Sequence, residues 1–294
     1  MSIASHPTEL DVTSMFDTRL VIVAGKGGVG KTTVSAVLGR AAANSGRRVL
    51  LVELDGKPTL VGLVPDLEVR SISAADALEE YLYDHGFKMI AKRLAATGVI
   101  DVIGTAAPGI DDLVVLGKLK QLERSGEWDL IVVDGPAAGH AVTFLTSAAG
   151  LRDAVRGGPV RAQADDVLAL LGDHGRCQVV LVTLPETTPV NELLETAELL
   201  EQRVGVRLGP TVINQVDVAP ALPDPVGVSF GRARAYVDDA RAAAEFRRIR
   251  QAGQALEIER VTAAIEAAPV VLPAIPAAAL EPRDIDILAA GKAR

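Results

Sequence analysis

Residues 25–33 read Gly-Lys-Gly-Gly-Val-Gly-Lys-Thr-Thr, and this run constrains the chain more than any other part of it. It fits the spacing G-x-x-x-x-G-K-[ST], with Gly25, Gly30, Lys31 and Thr32 at the fixed positions. An apolar run at 20–24 precedes it and a helical pattern at 31–44 follows, which is the setting the spacing requires. Glycines let backbone N–H groups turn inward and approach an anion closely. The start of the following helix adds its positive dipole end. The expected ligand of Gly25, Lys26, Gly27, Gly28, Val29, Gly30, Lys31, Thr32 and Thr33 is therefore the phosphate chain of a nucleotide. Lys31 is expected at the β- and γ-phosphates, and the Thr32 hydroxyl on Mg2+.

The rest of the chain alternates in the same way. Short β-branched runs at 20–24, 49–54, 130–134, 178–183, 211–214 and 269–272 read as strands. Most are continuously apolar, which suits strands buried on both faces of a parallel sheet. Helical patterns lie between them at 31–44, 74–97, 111–124 and 236–267. Another runs from Thr188, read as an N-cap with Pro189 at the first helical position, towards Val204. The expectation is an α/β fold with a doubly wound, mainly parallel sheet flanked by helices, of the phosphate-loop nucleoside triphosphatase kind. Residues 1–18 are polar and aperiodic, and are expected to form a flexible tail before one domain at 19–294. The proline-rich stretch 218–228 reads as a loop. The arginine-rich stretch 232–250 also carries Asp238, Asp239 and Glu245, and reads as a solvated helix face.

Three further positions carry candidate chemistry. Asp55 falls just past the second strand, at the edge where open α/β sheets bind ligands. A carboxylate there can orient an attacking water and sense the γ-phosphate and its metal, although Asp before Gly56 is also a common turn former. Asp134 ends a strand of four apolar residues and is expected to hold Mg2+ through a water. Gly135, Pro136 and Gly139 then shape a loop able to respond to the γ-phosphate, and His140 reads equally as a switch contact or a surface histidine. Asn214 closes the fifth strand; its amide matches the adenine edge, and it reads equally as a turn former. Pro273 and Ile275, in Leu-Pro-Ala-Ile-Pro, are candidates for the walls of a base pocket.

Lys26 makes the loop more specific. The form Lys-Gly-Gly-Val-Gly-Lys-Thr resembles the deviant Walker motif. With Asp55, Asp-Gly-Pro-Ala-Ala-Gly-His at 134–140, Ala-Pro-Gly-Ile-Asp-Asp at 107–112, Leu-Pro-Glu-Thr-Thr-Pro-Val at 184–190 and Ile-Asn-Gln at 213–215, the chain resembles the arsenical-pump and tail-anchored-protein-targeting (ArsA/Get-like) ATPases from about residue 20 to 288. The resemblance implies an ATPase using ATP and Mg2+. It also implies a lysine at 26 that reaches across a dimer interface to the partner's nucleotide, as an arginine finger does. Residues 156–165 resemble a subgroup of paired actinobacterial ATPases, which implies a heterodimer with a related subunit; a homodimer stays open. The departures are specific. The family's Asp-Pro-Ala-His becomes Asp55-Gly56-Lys57-Pro58, and a threonine of the second switch becomes Ala138. There is no Cys-x-x-Cys for a zinc clamp, no methionine-rich groove, and no thiol cluster for arsenite.

Three functions follow as expectations. The first is a dimeric ATP-hydrolysing switch coupled to a client or membrane partner. The second is a nucleotide-binding regulatory subunit of a heterodimer with little turnover of its own. The third is a partitioning or division-site ATPase. A net charge of -8 disfavours nucleic-acid binding. The single cysteine, Cys177, cannot supply the paired ligands of a bridging iron–sulfur cluster. No apolar stretch is long enough for a membrane span; the best, 270–280, is broken by Pro273 and Pro276. The opening residues lack a signal-peptide pattern, and the expectation is a cytoplasmic chain.

Overall fold

A computed structural model describes residues 13–54, 58–84, 109–220 and 237–291. Among these residues eight strands form one sheet: β1 (Leu20–Gly25), β2 (Val49–Glu53), β3 (Glu68–Ser71), β4 (Leu130–Ala137), β5 (Cys177–Thr183), β6 (Arg207–Leu208), β7 (Val212–Val216) and β8 (Val270–Pro273). Their order is β3-β2-β4-β1-β5-β7-β8, with β6 paired to β5, and every described pairing is parallel. The described helices are α1 (Lys31–Asn44), α2 (Thr59–Leu63), α3 (Ala74–Asp84), α4 (Ile110–Ser125), α5 (Ala138–Ala154), α6 (Pro159–Leu171), α7 (Thr187–Arg203), α8 (Val237–Ala264) and α9 (Pro282–Ala289).

The continuous apolar runs have the expected cause. Side chains alternate across a strand, so both faces of each central strand need cover. Leu20, Ile22 and Ala24 of β1 join one cluster with Val133, Phe144, Val167 and Leu193. Val21 and Val23 join the other with Val34, Val37, Leu51, Val132 and Ile285. Each of these valine, leucine, isoleucine and phenylalanine side chains contributes about 1.5–3 kcal/mol on burial, so the two layers hold the sheet jointly.

The sheet reads as the sequence predicts, with corrections in detail. The bounds of the expected strands agree with the observed ones within two residues except at the end of β4, and α1 spans residues 31–44 as expected. The helix expected from Thr188 starts at Thr187 with Glu186 at its N-cap, so Pro189 is its third residue, not its first. First-turn N–H groups have no intrahelical acceptor, so proline is tolerated there too. Strand β4 continues through Gly135 and Pro136 to Ala137, so those residues extend the strand where a loop was expected. A Cβ at Gly135 would collide with the Val23 carbonyl, so the strands approach too closely for another residue. Within the expected tail, Thr13–Phe16 forms a single 3-10 turn, with Met15 and Phe16 buried against the α1 face of the sheet. Residues 85–97 of the helix expected at 74–97 lie outside the described residues, as does most of the 218–228 loop.

Strands β3 and β6 and helices α2, α5, α6 and α9 have no counterpart in the sequence reading. β3 is an exposed edge strand with one paired neighbour, so it shows no apolar run. Helix α8 exposes most of its length, and Arg241 and Arg248 pair with Asp238 and Glu245 of the same helix. Arg241 and Arg248 thus form a solvated face neutralised within the helix, whereas Arg247 of the same stretch pairs with Asp217 outside it. No helix among the described residues is long and apolar enough to cross a membrane.

Candidate functional site

The glycine turn sits at the carboxyl end of β1, in the middle of the sheet. β1 ends at Gly25 and α1 begins at Lys31, so residues 26–30 make the whole connection. Gly30 has φ 91° and stands at the N-cap of α1, where no side chain supplies a cap bond. The left-handed geometry suits glycine, and a Cβ there would collide with the Asn214 amide. No acidic residue stands in the first turn of α1. Its first amides have no intrahelical acceptor and are available to an anion. Lys31 Nζ donates to the Lys26 carbonyl at 3.4 Å, bridging the two ends of the turn.

Strand β4 brings Asp134 beside this turn, in register with Val23 of β1. Thr32 Oγ1 donates to Asp134 Oδ2 at 2.7 Å, and Ser35 Oγ donates to Oδ1 at 3.3 Å. Burial raises the Asp134 pKa above the ordinary carboxylate value. The Thr32 bond, the Lys31 charge and the Ser35 bond oppose that rise, while the Glu53 charge adds to it. Thr32 and Asp134, the two metal candidates within the described residues, therefore meet. Their donors are a hydroxyl and a carboxylate, the oxygen set that Mg2+ takes together with phosphate oxygens. Among the described residues no group of three His, Cys, Asp or Glu could hold a metal by itself. Asp55, the expected water-orienting and metal-sensing carboxylate, lies outside the described residues.

Lys26 is engaged within its own chain. Its ammonium forms an ion pair with Glu192 of α7, with both side chains more than a third exposed. Asn214 is buried, and its amide is engaged with the turn: Nδ2 donates to the Val29 carbonyl at 2.9 Å. Its Oδ1 accepts the Gln215 N–H at 2.9 Å, at a residue with φ 58° where β7 loses register with β8. Asn214 thus buttresses the glycine turn. An amide nitrogen carries two donors, so one remains beyond the Val29 bond.

Pro273 and Ile275 line a cleft of about 500 Å³ beside the end of β7. Asp217 and Arg247 also line it. Arg247 donates to both Asp217 oxygens, at 2.8 and 2.6 Å, and this bonding holds the Asp217 carboxyl below the usual carboxylate range. Val216 pairs with Pro273, so the strand end after Asn214 and the expected base wall lie side by side. His140 is exposed in the first turn of α5. Its charge opposes the rise that burial and Asp111 impose on Asp112, so the start of α4 and the segment after β4 share one electrostatic neighbourhood.

Three residues at the site escaped the sequence reading. Ser35 follows Thr32 by three residues on a predicted helix, and that spacing alone puts both on one face. Glu53 ends β2 in register with Asp134, a relation that needs strand order. Glu192 meets Lys26 across 166 residues, with no local signal.

Comparison with known proteins follows the same residues. Residues 18–156 match the family described as Anion-transporting ATPase. ATPase BagA of Mycobacterium tuberculosis is 34% identical over 224 residues, covering 67% of this chain and 65% of that protein. An arsenical pump-driving ATPase of Escherichia coli is 29% identical over 201 residues, covering 66% of this chain and 34% of that protein. An ATPase ASNA1 homolog of Entamoeba histolytica is 27% identical over 203 residues, covering 60% of each. The chain thus spans less than two thirds of the length of each of these three relatives.

Proposed function

The chain belongs to the anion-transporting, ArsA/Get-like ATPase family, and from that premise we propose that it binds and hydrolyses Mg-ATP as a dimeric switch. The observation that carries this reading is the convergence of the Thr32 and Ser35 hydroxyls on Asp134 directly beneath the glycine turn.

In this reading the turn amides and Lys31 hold the β- and γ-phosphates, and Asn214 keeps the turn in shape through Val29. Thr32 and Asp134 would hold the metal. Mg2+ bound with the nucleotide neutralises charge on the phosphates and fixes their orientation. Asp55 orients the attacking water. Lys26 leaves Glu192 and reaches the nucleotide of a second subunit, where its charge offsets the negative charge of the transition state. The adenine lies against Pro273 and Ile275, with the free donor of Asn214 at its edge. Closure of two subunits, the same chain or a related one, couples nucleotide state to a client or membrane partner.

A second reading is a nucleotide-binding regulatory subunit. Ala138, at the first position of α5 where the family carries a threonine, supports it together with the altered segment after Asp55. Single-turnover hydrolysis, with the protein alone and mixed with a related subunit, separates the two. Turnover abolished by Asp55→Asn supports the switch enzyme. Tight ATP binding with no turnover in either mixture supports the regulatory subunit and contradicts the first reading.

A further inference from the structure

Glu53 is the last residue of β2, and its side chain is 5% exposed. It stands directly beside Asp134 in the parallel register of β2 and β4. Leu51 and Val132, two residues earlier on each strand, both belong to the cluster packed against α1. The period of two therefore aims Glu53 and Asp134 to that same face, at the carboxyl edge of the sheet. Glu53 Oε1 accepts the Leu60 N–H of α2 at 2.7 Å. The chain thus leaves β2 at Glu53 and is tied back to the same side chain at the start of α2.

Two carboxylates on neighbouring central strands, one fully and one largely buried, form a costly arrangement without a cation. One backbone amide on Glu53 and two hydroxyls on Asp134 do not neutralise two charges. Lys31 supplies a single positive charge near Asp134. A capping role for Glu53 would need an acceptor at Leu60 but no charge, since a glutamine offers the same acceptor. An acidic side chain in register with Asp134, where a neutral acceptor would suffice for Leu60, suits a cation between them.

We infer that Glu53 is a positioning residue for the divalent cation of the nucleotide site: its charge strengthens metal binding behind Thr32 and Asp134, and its bond to Leu60 links metal occupancy to α2. The inference rests on the nucleotide-site reading above. Glutamine at 53 keeps the acceptor and removes the charge, whereas aspartate keeps the charge with a shorter reach.

The test uses the full chain with a non-hydrolysable ATP analogue, and measures Mn2+ affinity of the complex by electron paramagnetic resonance. Glu53→Gln is expected to lower Mn2+ affinity by about 10–100-fold, the range typical of outer partners of a metal site. Affinity for the analogue in EDTA should stay within about threefold of the parent, and Glu53→Asp should recover most of the Mn2+ affinity. In the parent chain, added Mg2+ should change hydrogen exchange at the Leu60 amide, a readout that needs no variant to fold. Mn2+ affinity of Glu53→Gln equal to the parent, or metal-independent exchange at Leu60, would overturn the inference. If the parent binds no analogue at all, the nucleotide reading falls. If Asp134→Asn abolishes Mn2+ binding while Glu53→Gln binds Mn2+ as tightly as the parent, the inference alone falls.

Discussion

Lys26 of the phosphate loop is ion-paired with Glu192 of α7 in the same chain. Both side chains are more than a third exposed, so the pair is worth no more than about 1 kcal/mol. That is weak enough to be exchanged for a nucleotide across an interface. If Lys26 works in trans, removing its competitor frees it. Glu192→Gln is then expected to raise turnover per subunit by up to about fivefold, the equivalent of that energy. The effect should vanish in a Lys26→Ala background. Steady-state hydrolysis over a range of protein concentrations checks this; equal rates for Lys26→Ala and the parent would remove Lys26 from catalysis.

Asp134 concentrates a conflict between fold and function. Its carboxylate is largely buried, and burial pushes its pKa up. Asp134→Asn relieves that buried charge, so the free protein should melt at the parent's temperature or a few degrees above it. The gain from Mg-ATP should be lost. In the parent, ligand at about a hundred times its Kd stabilises by roughly 2.7 kcal/mol. Thermal melts with and without Mg-ATP give both numbers. An Asp134→Asn protein stabilised by Mg-ATP as strongly as the parent would contradict the assignment.

The Asn214 amide separates support of the loop from reading of the base. Asn214→Ala leaves the buried Val29 carbonyl without its donor, at a cost of about 1–3 kcal/mol. Because the contact is to the turn, affinity for ATP and GTP should fall by a similar factor. Melting and paired titrations with both nucleotides check it. A loss confined to ATP would assign Asn214 to the adenine edge instead.

Cys177 should be inert in the folded chain. It is fully buried, and burial, with the Glu123 charge adding to it, pushes the thiol up to about 12. The sign is that of an acid whose ionised form the fold disfavours, so at pH 8 the thiolate fraction is on the order of one in ten thousand. A thiol reagent at pH 8 should label the native protein no faster than it unfolds, and label it fully in denaturant. Rapid native labelling would mean that the N-terminal end of β5 opens locally.

The layered fold was legible because its cause is local. Strands covered on both faces need unbroken apolar runs, and β1, β2, β4 and β5 each carry one. Helix α1 was legible to the residue because a glycine turn starts it and Ser45-Gly46 ends it. Thr32 and Asp134 could each be named from their own segments, although their contact spans 102 positions. Glu53 and Glu192 were not legible, because their roles arise from strand order and from which helix packs over the turn, whereas Ser35 carried a signal in its three-residue spacing from Thr32 on α1. Edge strand β3 was missed for a related reason: an exposed strand shows no apolar run.

The central claim is that the glycine turn, Lys31 and the Thr32–Asp134 pair hold a nucleoside triphosphate with its metal. Calorimetric titration of the parent and of Lys31→Ala with ATP, in Mg2+ and in EDTA, tests it most directly. The account predicts saturable binding by the parent that Mg2+ strengthens, and roughly 30–150-fold weaker binding by the variant, the loss of a charge-assisted contact of about 2–3 kcal/mol. Equal affinities for parent and variant, or no binding by the parent in either buffer, would contradict it.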